Sequence, residues 1–227
     1  MGLGLGNSTT NSSALAYWTP RNISSLVHWY KHGTGITTAL DDAGLYSVVK
    51  WGDQKGSNDA EASGVAVESP AYASGAVRFN STDDVLTFDE ALELGEFSIY
   101  FRVESNDLTG DILVGGDNNH FFKIDEEDEI RLKIGTGNRT DWIVSSPGTD
   151  TPFTVGVERD SDGLIVCYLG GARVDVDSGG EVGISTTLDL THMGDPAVTV
   201  TVYEVLIFNE ELSTLDRSDL HTYLSSI

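Results

Sequence analysis

The run from Val198 to Asn209, VTVTVYEVLIFN, constrains this chain most. It is long, β-branched and aromatic, and it reads as a strand buried in the middle of a sheet. ELSTLDRSDLHTYLSS follows at once. Ser213 and Asp216 stand at the S-x-x-D spacing that starts a helix, because the serine hydroxyl satisfies a backbone N–H left over in the first turn. Leu212, Leu215, Leu220, Tyr223 and Leu224 give that helix one apolar side. The chain therefore closes as a strand that needs a sheet and a short helix that packs on it.

The rest of the chain supplies strands. Leu26–Tyr30 and Ser47–Trp51 are two, with a loop between them at Gly33, Gly35 and Asp41-Asp42 and a polar loop at Gly52–Ala60. Ala76–Asn80 and Asp84–Phe88 read as a hairpin across residues 81–83. In FSIYFRVE, Phe97, Ile99, Phe101 and Val103 alternate with Ser98, Tyr100, Arg102 and Glu104, so one face points to a core. Ile112–Gly116 is the next strand. HFFKI and EIRLKIG form a hairpin around Asp125–Asp128, and Asp141–Val144 is a short strand. Phe153–Arg159 and Leu164–Gly170 flank an Asp162-Gly163 turn, a strong hairpin signal. Ala172–Val176 continues the meander, Asp175–Gly180 reads as a loop, and Thr191–Pro196 leads into the last strand. Many short strands, one helix and no αβ alternation imply an all-β, antiparallel β-sandwich. A length of 227 residues suits one such domain.

Residues 1–17 carry Gly, Ser, Thr and Asn with little to bury, and read as a flexible N-terminal arm. Residues 18–227 are the sandwich domain, entered through a turn at Trp18-Thr19-Pro20. Leu3, Leu5 and Leu15 on the arm, with Trp18 at its junction, are candidate partner-binding residues. The amino terminus has no basic segment followed by an apolar one, so no signal peptide is expected. No apolar run reaches bilayer length. With 36 acidic and 13 basic residues the formal charge is −23, which argues against nucleic acid and anionic membranes as partners. The acidic surface reads as a hydrated one, or as complementary to a basic partner. Cys167, in the apolar run LIVCYL, rules out an internal disulfide and reads as a small buried hydrophobe.

Five stretches in order carry a resemblance: Trp51-Gly52-Asp53-Gln54-Lys55-Gly56, Val77–Leu86, Phe97–Arg102, Pro152–Gly163 and Glu204–Ser213. Over residues 20 to 227 the chain resembles the laminin-G-like, concanavalin A-like jelly rolls found in virion proteins of tailed bacteriophages. The resemblance implies a concanavalin A-like jelly roll with a short C-terminal helix. It also implies a non-enzymatic structural role on the particle surface, attached to a major capsid or tail protein or to a sister subunit. The same fold hosts lectins and glucanases, so a carbohydrate-binding module that attaches to a host-surface glycan is the alternative, and a β-glucanase a third.

The residues bear on each chemistry. Glucanases of this fold carry an E-x-D-x-x-E strand. Here Glu126, Asp128 and Arg131 fall at those spacings, so the last carboxylate is missing and the acidic run reads as a turn. Glycan binding wants an exposed aromatic ring beside polar groups, and Trp142 with Asn138, Arg139 and Asp141 is the candidate, against packing of Trp142 at a sheet edge. Trp29 and Trp51 read as core. The resemblance admits one rim calcium ion, for which Asp83-Asp84 and Asp117-Asn118-Asn119 offer oxygen ligands. Such turns are also common without metal, and no other cofactor is implied.

Overall fold

The computed structural model of the protein describes residues 18–40, 44–63, 69–80, 84–105, 110–117, 119–125, 129–136, 139–143, 151–174, 176–178, 185–194 and 199–227. After a single 3-10 turn at Pro20–Asn22 come β1 (Leu26–Tyr30), β2 (Ile36–Leu40), β3 (Tyr46–Trp51), β4 (Ala60–Glu61), β5 (Ala71–Ala73) and β6 (Ala76–Phe79). Then follow β7 (Leu86–Leu94), β8 (Phe97–Ser105), β9 (Gly110–Val114), β10 (His120–Asp125), β11 (Glu129–Ile134) and β12 (Arg139–Ile143). The last elements are β13 (Phe153–Arg159), β14 (Ile165–Leu169), β15 (Ala172–Val174), β16 (Val176–Ser178), β17 (Leu188–Met193), β18 (Val200–Phe208) and the helix α1 (Thr214–Leu224).

The fold is an antiparallel β-sandwich. One layer runs β15–β14–β13–β8–β18. The far edge of β18 is shared, with β6 along Val200–Val202 and β1 along Val205–Phe208. The other layer runs β4–β7–β17–β9–β10–β11–β12–β16. β3 joins the two by pairing with β4 and with β5, which in turn pairs with β6. Phe97, Ile99, Phe101 and Val103 of β8 point into the space between the layers, with Val202, Val205 and Ile207 of β18. Phe122, Ile130, Leu132 and Leu190 meet them from the other side. The Phe101 and Phe122 rings stack across this core at 4.8 Å.

A second core explains why β18 is almost continuously apolar. Leu206, Phe208 and Tyr100 point to the opposite face, where Leu212, Leu220 and Leu224 of the terminal segment cover them with Trp29. A strand buried on both faces loses the polar alternation of a half-exposed one. Ser213 caps α1, its Oγ accepting the Asp216 N–H at 3.1 Å. Leu215, expected on the apolar side, is 70% exposed, because at this first-turn position it points away from the sheet.

Three other expectations are corrected. Ala76–Asn80 and Asp84–Phe88 do not pair: β6 joins β5 and β18, whereas β7 joins β4 and β17. Asp84 accepts the Asn80 N–H at 2.7 Å. The expected loop at Asp175–Gly180 contains β16, which pairs with β12. Leu188–Met193 is a strand in its own right, β17. The Asp162-Gly163 hairpin forms as expected, with Asp160 Oδ1 accepting the N–H groups of Asp162 and Leu164. Cys167 is buried in the main core, and burial pushes its thiol up.

Candidate functional site

A cleft of about 500 Å³ opens between α1 and the turn that joins β14 to β15. Its floor is Tyr168, Gly170, Gly171 and Ala172, and its wall is the helix face bearing Thr214, Arg217, Ser218 and His221. Leu169 and Ala172 pair across the Gly170-Gly171 turn, whose φ angles of 58° and 83° suit glycine. A Cβ on Gly171 would stand 2.5 Å from Cδ2 of His221, so that glycine also sets how near the helix comes to the sheet.

Arg217 is fixed from below. Its Nε donates to Glu158 Oε1 at 3.0 Å and its Nη2 to Glu158 Oε2 at 2.5 Å and to the Leu212 carbonyl at 2.8 Å. Burial works against the guanidinium charge, and the bidentate Glu158 carboxylate outweighs it, so the pKa of Arg217 is raised. The Tyr100 hydroxyl donates to the same Glu158 at 2.6 Å. Gly156 makes that reach feasible, since a Cβ there would lie 2.2 Å from the Tyr100 ring. Glu158 thus accepts hydrogen bonds from both Arg217 and Tyr100. Above this network the Arg217 guanidinium lies 4.4 Å from the centre of the Tyr168 ring.

The cleft offers an aromatic ring, the hydroxyls of Thr214 and Ser218, a backbone turn without side chains and the imidazole of His221. Burial, with the positive charge of Arg102, holds His221 below its ordinary pKa. Such a lining suits a ligand with apolar faces and hydroxyl edges.

The residues singled out from sequence lie elsewhere. Trp142 is 0% exposed and belongs to the main core. This corrects its reading as a surface platform: Trp142 stands opposite Ile130 of β11, and both side chains join the main core. Asp141 is buried as well and accepts from Arg131 Nε at 2.8 Å. Asn138 lies outside the described residues, and Arg139 is placed through its backbone in β12. Leu3, Leu5 and Leu15 also lie outside them. Trp18 packs against the second core, its ring 6.0 Å from that of Tyr223. Trp29 and Trp51 are core residues, as expected. Glu126 and Asp128 lie outside the described residues. Of the residues considered for calcium, Asp84 is buried and engaged with Asn80, and Asp117 accepts from the backbone and side chain of Asn119. Asp83 and Asn118 lie outside the described residues. Among the described residues no group of three His, Cys, Asp or Glu side chains could hold a metal ion.

No protein-family model matches the sequence, and a comparison with curated proteins finds no match. Solved structures do match in fold. A Trypanosoma rangeli sialidase, in complex with 2,3-difluoro-KDN, superposes with a TM-score of 0.62 at 16% identity, covering 90% of this chain and 33% of that one. The binding domain of botulinum neurotoxin serotype D/C superposes with a TM-score of 0.54 at 17% identity, covering 91% and 53%. A botulinum neurotoxin DC binding domain in complex with SialylT gives 0.52 at 16% identity, covering 85% and 52%. The chain thus spans about a third of the sialidase and about half of the toxin domains.

Proposed function

We propose that this protein is a non-catalytic carbohydrate-binding module and that its glycan sits in the cleft between α1 and the β14–β15 turn. The cleft carries the reading: it sets an aromatic ring and hydroxyls around an opening of about 500 Å³ on a lectin-like sandwich. A neighbour of the same fold, the toxin binding domain solved with SialylT, supports it. The comparisons favour this reading over the virion structural role that the resemblance implied, for which they offer no counterpart. No hydrolysis is expected through Glu158, the carboxylate beneath the cleft, because it is committed to Arg217 and Tyr100.

A glycan array followed by calorimetry on its hits tests this. Tyr168→Ala should weaken the best glycan about tenfold, or ~1.4 kcal/mol, with the melting temperature little changed. Absence of any glycan binding at millimolar concentration would sink the reading, as would binding indifferent to Tyr168→Ala. Sugar release from a bound glycan would overturn the non-catalytic part.

A further inference from the structure

Among the residues that line the cleft, Arg217 is the one full cation. Its charge is already matched by Glu158, which accepts from Nε at 3.0 Å and from Nη2 at 2.5 Å. Glu211 adds a second carboxylate 3.6 Å from the same Nη2. Glu211 is exposed, and its N–H donates to Glu96 Oε1 at 3.2 Å. Partial burial, then the negative charges of Glu158, Asp160 and Glu96, push the Glu211 pKa up against the pull of Arg217. Carboxylates therefore outnumber cations at this end. The charge of Arg102 is felt at His221, but Arg102 stands opposite Glu204 across the β8–β18 ladder. The cleft shows a ligand no unmatched positive charge.

The donors that remain are of one kind. Nε and Nη2 of Arg217 are taken by Glu158 and the Leu212 carbonyl. A guanidinium grips a carboxylate with two neighbouring nitrogens, and here no such pair is free. Nη1 has no acceptor among the described residues, and 13% of the side chain's surface stays open. Its two N–H groups diverge and suit separate oxygen atoms. The hydroxyls of Tyr168, Thr214 and Ser218 line the same opening, and each can donate or accept. His221, held below its ordinary pKa, adds a polar edge without charge.

We propose that the cleft takes neutral sugars and excludes acidic ones. The inference rests on the glycan-binding reading and names the sugar class. Sugar hydroxyls accept from Nη1 and exchange hydrogen bonds with Tyr168, Thr214 and Ser218, and no charge is brought in. The carboxylate of an acidic sugar would arrive beside Glu211, give up its water and find no fork of donors. A like charge so placed rejects a ligand of otherwise similar shape.

A glycan array on the full chain tests this with matched termini: galactose against galacturonate, glucose against glucuronate, and lactose against sialyl-lactose. Calorimetry follows on the pair with the strongest signal. The neutral member should bind about tenfold more tightly than its acidic counterpart. Glu211→Gln, a change at an exposed side chain, should narrow that ratio severalfold by raising the acid's affinity. Glu93→Gln removes the same charge from an exposed position on β7, in the other layer, and should leave the ratio as it was. Arg217→Lys keeps the charge and removes Nη1, so it should weaken the neutral glycan about tenfold; if it does not fold, the comparison of Glu211→Gln with Glu93→Gln decides. Equal or tighter binding of the acid would overturn the proposal and leave glycan binding intact, as would a ratio that Glu211→Gln moves no more than Glu93→Gln does. Failure of neutral and acidic glycans alike would remove the glycan-binding reading and this proposal with it.

Discussion

Asp53 has a buried carboxylate closed off by its own loop and by β1. It lies 2.7 Å from His28 Nδ1, and it accepts the N–H groups of Trp29 and Lys55, each at 2.9 Å. Burial alone would push its pKa up. The hydrogen bonds from His28 and from the backbone of Trp29, Lys55 and Gly56 outweigh that and hold it below the ordinary 3.8. A carboxyl depressed by folding contributes stability above its unfolded value, and loses it as pH falls through the lower folded one. Asp53→Asn should therefore cost about 2–4 kcal/mol at pH 7. The gap to the wild type should narrow below pH 3.8. Urea denaturation of both proteins at pH 7 and in acid would show it, and a gap independent of pH would refute the assignment. The polar loop around Asp53 was legible from its composition. Its anchoring was not, because His28 and Trp29 lie 25 and 24 positions away along the chain.

Within α1, two leucines of one sequence pattern meet different fates. Leu220 is 0% exposed beneath the helix, and Leu215 is 70% exposed. Leu220→Ala should lower stability by about 2–5 kcal/mol through lost burial and the cavity left behind. Leu215→Ala should fall within about 0.5 kcal/mol of the wild type. Equal losses in thermal denaturation would mean that the helix sits on the sheet by another face. Elements with strong local signals were legible: the alternation of β8, the Asp-Gly turn between β13 and β14, and the β18–α1 junction with its serine cap. β2, Ile36–Leu40, carries ITTAL, which has no clean alternation and lies among exposed neighbours. The sequence-adjacent pairing of Ala76–Asn80 with Asp84–Phe88 failed for a different reason. Both are strands, but β18 competes for β6 and supplies an apolar partner from far along the chain.

At the scale of the molecule the net charge of −23 dominates. Self-repulsion of that size is screened as the Debye length falls from ~10 Å at 0.1 M to ~3 Å at 1 M salt. The melting temperature should rise between low salt and about 0.5 M NaCl; a flat or falling one would show that the acidic groups are already neutralised. The candidate site also belongs to this scale. Its floor comes from Tyr168 to Ala172 and its wall from Thr214 to His221, and no spacing within either stretch marks it. Trp142 looked like a platform because its neighbours in the chain are polar. The sandwich turns that tryptophan inward and leaves the half-buried Tyr168 beside the helix.

The central position of β18 also sets an order of events during synthesis. Trp29 emerges early, yet the Glu204 that receives its indole N–H is 175 residues further on. At a translation rate of about 5–20 residues per second, β1 and β8 wait on the order of ten seconds for the strand that lies between them. Through that interval the ribosome displays apolar edges with nothing to pair, so a growing chain of this kind depends on what shields it before its last strand arrives.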